Sequence, residues 1–324
     1  MSAFNTTIHE ENGQKLKAYI AKPKSGKGPG VVLMHEVYGV TGGLKEVADY
    51  LASQGFVVAC PNMYWRKDSD ASFKYDPPPE VMAAMPKKDR EDLEAALKTD
   101  RETARDLMFD IVGNDDPAKG QIIDDPSHLA QRQSEVIDTI NHVADFLRNH
   151  KQCTGMVASS GFCFGARNTY LALTEGAKVD AGVAFYPTPK LHQIFDMNKA
   201  EVIDKPMMFV YAGQDGYVSS EEKQAMRDVA GTLIRYIPGE ETPLVHNSKY
   251  GNPSVLTLAY TANDHGFNRR NSKYSDPGAS DHALAVAAEF LHSALDTNNA
   301  GFSVPRKAED KMPQSPRYLP AYKV

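Results

Sequence analysis

The sequence predicts an α/β fold, a mostly parallel sheet with helices on both faces and an N-terminal antiparallel hairpin. Short, nearly continuous apolar runs alternate with amphipathic stretches, which is typical of buried parallel strands separated by helices. The first segment has two strand-like runs around Asn12-Gly13, a dipeptide that favours a two-residue hairpin turn. These two observations define the fold class without reference to any functional motif.

The elements can be placed in order along the chain. The hairpin is predicted over residues 6–10 and 15–21. Further strands are predicted over residues 30–34, 56–59, 155–159, 181–185, 207–212 and 256–261. Amphipathic helices are predicted over residues 43–54, 128–148, 164–174, 220–233 and 281–295. The alternation fits a single domain over residues 1–300.

Two segments interrupt the alternation. The excursion at residues 66–126 has a triple-proline run, a charged helical stretch and a loop rich in Gly, Asp and Pro. We expect it to cap the carboxyl ends of the strands, and a solvated surface excursion is the equal alternative. Residues 237–254 form a second, smaller loop. The segment 301–324 is rich in proline and charge and is predicted to be a C-terminal tail.

Composition excludes several classes of function. The net charge of −6 and the lack of a long basic run argue against nucleic-acid binding. Cys60, Cys153 and Cys163 are too few for a disulfide scaffold and form no C-x-x-C pair, so we expect no metal and no cofactor. No apolar run reaches the length of a membrane span, and the N-terminus lacks a signal peptide. We therefore expect a cytoplasmic protein with no membrane partner.

The segment Gly161-Phe162-Cys163-Phe164-Gly165 lies between a predicted strand and a predicted helix. At such a junction the α/β-hydrolase fold carries its nucleophile elbow, here with cysteine in place of serine. Glycines permit the strained turn, because neighbouring β-carbons would clash there. The positive end of the following helix favours a thiolate. The sequence therefore predicts that Cys163 is a nucleophile; the alternative is a buried cysteine without chemistry.

An acid and then a histidine follow the nucleophile along the chain in this fold. Asp215 follows the predicted strand 207–212 and a glycine, so its carboxylate is expected at the carboxyl end of that strand. His265 lies just past the last predicted strand and is the expected base. His246, in a polar loop, and His282, at the start of the last helix, are the rival bases.

A further loop, His35-Glu36-Val37-Tyr38-Gly39, follows the predicted strand 30–34. The loop after an early strand supplies one of the two N–H groups of the oxyanion hole in this fold. Val37 is the expected donor there, and Phe164 supplies the other N–H. Glu36 is a carboxylate beside an apolar strand end, which is costly unless it is paired. A salt bridge to an arginine is the alternative to a catalytic role.

With these residues assembled, the chain resembles the dienelactone hydrolases, or carboxymethylenebutenolidases. The resemblance extends from about residue 19 to residue 295. It rests on four motifs in the same order: His35-Glu36-Val37-Tyr38-Gly39, Gly161-Phe162-Cys163-Phe164-Gly165, Ala212-Gly213-Gln214-Asp215, and His265-Gly266-Phe267 with Arg269.

The resemblance implies a role for each matched residue. Cys163 would be the nucleophile, His265 the base, and Asp215 the acid that orients His265. Glu36 would hold the resting Cys163 as a poorly reactive thiol until a bound substrate displaces it. Arg269 would bind a carboxylate of the substrate, and the lactone ring would open to a maleylacetate-like product.

A second carboxylate-binding arginine in the family lies in the excursion region, which is enlarged here. The candidates for that role are Arg66, Arg90, Arg101 and Arg105, and Arg66 is taken as the first of them. Tyr38, in the oxyanion loop, and Phe162, in the elbow, complete the expected substrate contacts.

The sequence therefore predicts a carboxylic-ester hydrolase that opens dienelactone or a related enol lactone or ester through a cysteine acyl-enzyme. We expect its partner to be a small lactone or ester that carries a carboxylate, in the degradation of aromatic compounds. The alternatives are a broad-specificity carboxylesterase or thioesterase, a non-catalytic binding protein of the same fold, and a redox-sensing cysteine protein.

Overall fold

The structure confirms the predicted fold class. The computed structural model describes residues 4–24, 26–36, 39–66, 86–88, 90–91, 94–95, 126–187, 205–216, 218, 255–268 and 275–295. Within these residues, eight strands form one mixed sheet in the order β1-β2-β4-β3-β5-β6-β7-β8.

The N-terminal hairpin forms where the sequence predicts it. β1 (Thr6–Glu11) pairs antiparallel with β2 (Gln14–Ala21). Asn12 and Gly13, between the strands, have φ values of 51° and 78°. Two consecutive positive φ angles are what a type I′ hairpin turn requires. The hairpin joins the sheet through antiparallel pairing of β2 with β4.

The remaining strands run parallel to one another. They are β3 (Gly28–Met34), β4 (Val57–Pro61), β5 (Cys153–Phe162), β6 (Ala181–Phe185), β7 (Met207–Ala212) and β8 (Val255–Tyr260). β5 extends three residues beyond its predicted end. The prediction was wrong there because backbone pairing with β3 and β6 on both sides continues the strand past its polar residues.

The order of the strands creates a crevice at the carboxyl edge of the sheet. β3 pairs with β4 on one side and with β5 on the other, so the winding of the chain reverses between β3 and β5. In open α/β sheets, ligands bind outside the carboxyl ends of the strands at such a reversal. Glu36 follows β3 and Cys163 follows β5, so both residues belong to this crevice.

Four long helices flank the sheet in the described part of the chain. They are α1 (Gly42–Ser53), α2 (Pro126–Arg148), α3 (Phe164–Thr174) and α4 (Pro277–Leu295). α4 begins four residues before its predicted start. Asp276 accepts a hydrogen bond from the Ala279 N–H over 3.0 Å, and Pro277 occupies the first helical position. An aspartate cap followed by proline is a helix-start signal that the prediction missed.

The helices bury their apolar faces on opposite sides of the sheet. α1 and α4 pack on the side reached by Val31 and Leu33 of β3, and α2 and α3 pack on the side reached by Val32 and Met34. Alternate residues of a strand point to opposite faces, so a strand buried on both faces is apolar throughout. The continuous apolar runs in the sequence have this cause.

Several predictions fall outside the described residues. They include the helix at 220–233, the loop at 237–254, the tail at 301–324 and most of the excursion at 66–126. None of the helices in the described part combines the length and apolar character needed to cross a membrane.

Candidate active site

Cys163 lies directly after β5 in a strained backbone conformation. Its φ and ψ angles are 53° and −111°, and a residue with a side chain adopts positive φ only where its surroundings enforce it. A β-carbon on Gly161 would lie 2.4 Å from the carbonyl carbon of Gly165, and one on Gly165 would lie 2.4 Å from the carbonyl oxygen of Met34. Both glycines are therefore required by the packing of the turn against the end of β3.

α3 begins immediately after this turn. Cys163 is the N-cap residue and makes no side-chain cap hydrogen bond. Phe164 is the first residue of α3, so no carbonyl within the helix can accept its N–H. The positive end of the helix dipole lies at the same place. The oxyanion-donor role of Phe164 stays a prediction, as does that of Val37, which lies outside the described residues.

His265 and Asp215 form a buried pair. His265 Nδ1 donates a hydrogen bond to Asp215 Oδ2 over 2.8 Å, and the two side chains are 4% and 2% exposed. Cys163 interacts with the same imidazole and contributes to raising its pKa. Asp215, His265 and Cys163, which follow β7, β8 and β5, are thus brought together at the carboxyl edge of the sheet.

The loops after β7 and β8 are fixed to each other. The Gly213 N–H donates to the carbonyl of Tyr260 over 2.8 Å. A β-carbon on Gly213 would lie 2.5 Å from Thr261 Cα, so only glycine permits this approach. The backbone contact sets the separation between the loops that carry Asp215 and His265.

The surroundings of His265 favour its protonated form. Burial alone lowers its pKa, because burial disfavours the imidazolium. The thiolate form of Cys163, the Asp215 carboxylate and the hydrogen bonds to both side chains outweigh burial and raise the pKa from 6.5 to about 10. The negative charges close to the imidazole therefore favour its protonated form.

His35 holds the turn that carries Glu36. Its imidazole is fully buried, its Nδ1 donates to the Glu36 carbonyl over 2.5 Å, and its Nε2 accepts the Met63 N–H over 3.1 Å. These bonds correspond to the neutral tautomer with the proton on Nδ1. The ring packs 5.0 Å from Tyr64 and 6.2 Å from Phe164. The turn after β3 is thereby fixed against the loop after β4 and the start of α3.

Tyr186 is a residue of this region that the sequence predictions missed. It is buried, has a φ angle of 37°, and presents its ring edge to His265 at 4.9 Å. Phe162 lies 5.9 Å from the Tyr186 ring and stacks on Phe185 at 4.6 Å. The sequence signal was an aromatic residue directly after the predicted strand 181–185, at the edge of the sheet where Cys163 lies.

A small cavity lies beside these groups. Its volume is about 30 Å³, enough for one or two water-sized groups. Its described lining contains no lysine or arginine and consists of Glu36, Gly39, Thr41, Gly43, Leu44, Val47, Phe162, Tyr186 and Asn268. Phe162 and Glu36, two of the predicted site residues, thus meet in one cavity.

Arg66 is bound to α2. Its guanidinium donates to the Glu135 carbonyl over 3.1 Å and to Thr139 Oγ1 over 3.0 Å, and it forms an ion pair with Asp138. It also lies over the Trp65 ring at 4.3 Å. These partners belong to the fold, so the geometry favours a structural role for Arg66 over the predicted contact with substrate.

The other predicted site residues are only partly described. Tyr38, Arg269 and the rival base His246 lie outside the described residues. The second rival, His282, is on α4, where its Nδ1 shares a hydrogen bond of 2.6 Å with the Tyr260 hydroxyl. No group of His, Cys, Asp and Glu in the described residues is arranged to hold a metal ion.

Neither of the other cysteines is placed to form a disulfide with Cys163. Cys153 begins β5 and Cys163 follows the end of the same strand, which separates them by about 30 Å. Cys60 is fully buried in β4, which β3 separates from β5, so the two strands lie about 10 Å apart. Burial followed by the charge of Asp49 also raises the pKa of the Cys60 thiol. The redox-sensing alternative therefore has no resolving thiol.

The chain is similar to characterised sequences over most of its length. A carboxymethylenebutenolidase from Pseudomonas sp. (strain P51) is 25% identical over 285 residues, which cover 88% of this chain and 93% of that protein. Carboxymethylenebutenolidase 1 from Cupriavidus pinatubonensis is 22% identical over 298 residues, or 91% and 99% of the two chains.

The fold is shared with solved structures. The dienelactone hydrolase-like promiscuous phosphotriesterase P91 from metagenomic libraries superposes with a TM-score of 0.57 at 17% identity, and the match covers 88% of this chain and 95% of that one. The α/β-hydrolase fold expected from the sequence is thereby confirmed. The family model of the dienelactone hydrolases matches residues 16–233, and the chain therefore belongs to the dienelactone hydrolase family of hydrolases.

Proposed function

We propose that this hydrolase cleaves small carboxylic esters or enol lactones, with Cys163 as nucleophile, His265 as general base and Asp215 as the residue that orients His265. The observation that carries the proposal is the buried hydrogen bond between Asp215 and His265, together with the interaction of Cys163 with the same imidazole. The three residues come from three strand ends that lie far apart in sequence. The strained backbone of Cys163 supports the same assignment, because such strain is found mainly at functional sites.

The acylation half of the reaction follows from these groups. The Cys163 sulfur bonds to the carbonyl carbon, and the carbonyl electron pair moves to the oxygen. The Phe164 N–H would stabilise this oxyanion, a contribution of about 3 kcal/mol for one such donor. The bond to the leaving oxygen then breaks, and that oxygen takes the proton of the His265 imidazolium. The product is a thioester on Cys163 and a neutral His265.

Deacylation returns the site to the state from which acylation begins. His265 accepts a proton from water while the water oxygen bonds to the thioester carbonyl carbon. The carbon–sulfur bond breaks, Cys163 leaves as a thiolate, and the carboxylic acid product departs. The site is then an imidazolium facing a thiolate, which is the state that the raised pKa of His265 favours.

Glu36 would control the reactivity of Cys163 before substrate binds. Its support is position: Glu36 and Cys163 follow neighbouring strands at the crevice, and His35 fixes the turn of Glu36. If Glu36 suppresses the thiolate, Glu36→Gln will be alkylated by iodoacetamide faster than the wild type in the absence of substrate. Equal rates in the two proteins would remove this role from Glu36.

The nucleophile is tested with a pair of cysteine variants. We expect Cys163→Ala to lower kcat/KM for p-nitrophenyl acetate by at least about 10³-fold, because removal of a nucleophile leaves only binding and oxyanion stabilisation. Cys153→Ala, at the other end of β5, serves as the matched control. The wild type, and not Cys163→Ala, should show an acyl adduct by intact-mass analysis after rapid quenching. Unchanged hydrolysis by Cys163→Ala would end the proposal.

A broad esterase acting on neutral substrates is the second candidate. It is favoured by the described cavity lining, which holds no lysine or arginine, and by the engagement of Arg66 with α2. Comparison of cis-dienelactone with p-nitrophenyl acetate separates the two, with Arg269→Ala as the variant. A loss confined to the dienelactone would establish carboxylate recognition, and preference for the neutral ester would favour the broad esterase.

A further inference from the structure

The cavity beside Glu36 is lined by a residue with an unsatisfied amide oxygen. Asn268 is 4% exposed, and its Oδ1 has no hydrogen-bond partner in the part of the chain that the structure describes. A buried acceptor left without a donor costs about 1–3 kcal/mol. Native proteins seldom keep such a group unless a water or a ligand satisfies it. We therefore expect that a bound group in the cavity donates a hydrogen bond to Asn268 Oδ1.

α4 sets the orientation of this amide. Asn268 Nδ2 donates to Ser280 Oγ over 3.1 Å and lies 3.5 Å from the Ser280 carbonyl oxygen. A carbonyl can only accept a hydrogen bond, so the amide nitrogen is the atom that faces α4. Oδ1 is therefore the polar side-chain atom that remains for the cavity, which Asn268 lines.

Two residues that line the cavity are next to the proposed catalytic residues, one in sequence and one in space. Phe162 precedes Cys163 in the chain, and the Tyr186 ring lies 4.9 Å from the His265 ring. The Asn268 amide oxygen can only accept a hydrogen bond, and the carboxyl group of Glu36 also offers acceptor oxygens. The described lining offers these acceptors and the Thr41 hydroxyl but no cation. The unsatisfied Asn268 oxygen therefore favours a group that donates a hydrogen bond.

We propose that this cavity is a subsite for an O–H group that donates its hydrogen to Asn268 Oδ1. The volume of about 30 Å³ limits the occupant to a substrate hydroxyl or a water molecule. The proposal rests on the proposed function, because the subsite would serve the reaction at Cys163. Asn268 would then select substrates by a hydroxyl near the scissile carbonyl, or hold a water beside Glu36.

The test combines kinetics with a crystal structure of the unliganded full chain. Asn268→Leu removes the acceptor at similar size, and the substrates are matched aryl esters of acetic and hydroxyacetic acid. If a substrate hydroxyl is the donor, Asn268→Leu will lower kcat/KM for the hydroxyacetate by about tenfold or more relative to kcat/KM for the acetate. If water is the donor, both esters will slow equally, and density for a water about 3 Å from Oδ1 will be present in the wild type.

Three results would each overturn the subsite. The first is unchanged kinetics on both esters together with no water at Oδ1, the second is a protein group found donating to Oδ1, and the third concerns Ser280. Ser280→Ala keeps Asn268 Oδ1 but removes the hydroxyl that anchors the Asn268 amide. Its effect on the kinetics of the two esters must be smaller than that of Asn268→Leu. A larger effect would place the defect in the packing of α4 and also reject the subsite.

Failure of the subsite and failure of the proposed function remain distinguishable. If Cys163→Ala is inactive while Asn268→Leu behaves as the wild type and no water is seen, the subsite alone is rejected. If Cys163→Ala keeps its activity, the catalytic proposal is rejected, and the crystallographic search at Oδ1 still decides whether the cavity binds a donor.

Discussion

The molecule has two clusters of interacting polar side chains, and the two clusters differ in their inferred roles. In the first, at the carboxyl edge of the sheet, Asp215 is hydrogen-bonded to His265, and Cys163 interacts with the same imidazole. In the second, Arg66 contacts Asp138, Thr139 and the Glu135 carbonyl on α2. Both clusters join segments that lie far apart in sequence. Connectivity alone therefore does not identify a site.

Position and backbone strain separate the two clusters. Cys163 has positive φ, lies at the start of α3, and stands at the crevice where ligands bind in open α/β sheets. Arg66 stacks on Trp65 and closes a contact between a loop and a helix. We infer that the first cluster performs chemistry and that the second stabilises the fold.

Replacement of Asp215 should have the largest effect. Asp215→Asn keeps the size of the side chain but removes the charge that stabilises the His265 imidazolium and fixes its tautomer. We expect kcat for p-nitrophenyl acetate to fall by about 10²- to 10⁴-fold. Asp138→Asn, the corresponding change in the Arg66 cluster, should leave kcat within about twofold, because no proposed step uses it. Similar losses of kcat in both variants would contradict the division.

The pKa of His265 should depend on the sulfur. Cys163→Ala removes the charge and the hydrogen bond that help to raise this pKa to about 10, so the pKa should fall while Asp215 continues to raise it. The change is measured by NMR titration of the His265 ring in both proteins. The same pKa in wild type and variant would show that the sulfur does not interact with the imidazole.

The raised pKa also gives the sign of a stability change. The pKa of His265 is higher in the folded protein than its unfolded value of 6.5. The imidazolium therefore contributes its full stabilisation below pH 6.5. The contribution is lost as the pH rises through about 10. The free energy of unfolding, measured with urea, should therefore fall more between pH 6 and pH 10 in the wild type than in His265→Gln.

Much of the first cluster could be predicted from the sequence because each member lies close to a strand end. Apolar strands are recognisable, and the carboxyl ends of parallel strands meet at one edge of a sheet. Cys163, Asp215 and His265 could therefore be placed together by their order along the chain. Their contact distances and the φ angle of Cys163 required the structure.

The contacts of Arg66, Tyr186 and Asn268 depend on tertiary neighbours that local sequence does not reveal. The partners of Arg66 on α2 lie about 70 residues away, so a candidate substrate-binding arginine could not be distinguished from a structural one. Tyr186 carried only the weak signal of an aromatic residue after a strand. Asn268 was missed because its orientation is set by Ser280 on α4.

Replacement of Arg66 should have the smallest effect on catalysis and a moderate effect on stability. Arg66→Ala removes a charged hydrogen-bonding group whose side chain is 25% exposed and whose partner Asp138 is 49% exposed, so solvent weakens the ion pair. We expect a loss of about 1–2 kcal/mol in the free energy of unfolding, with kcat/KM for dienelactone and for p-nitrophenyl acetate within about twofold of the wild type. Arg66→Lys, which keeps the charge but loses the planar fork, should restore only part of the stability. If Arg66→Ala instead kept its stability and lost activity on dienelactone alone, Arg66 would be a substrate-binding residue and the division between the two clusters would be wrong.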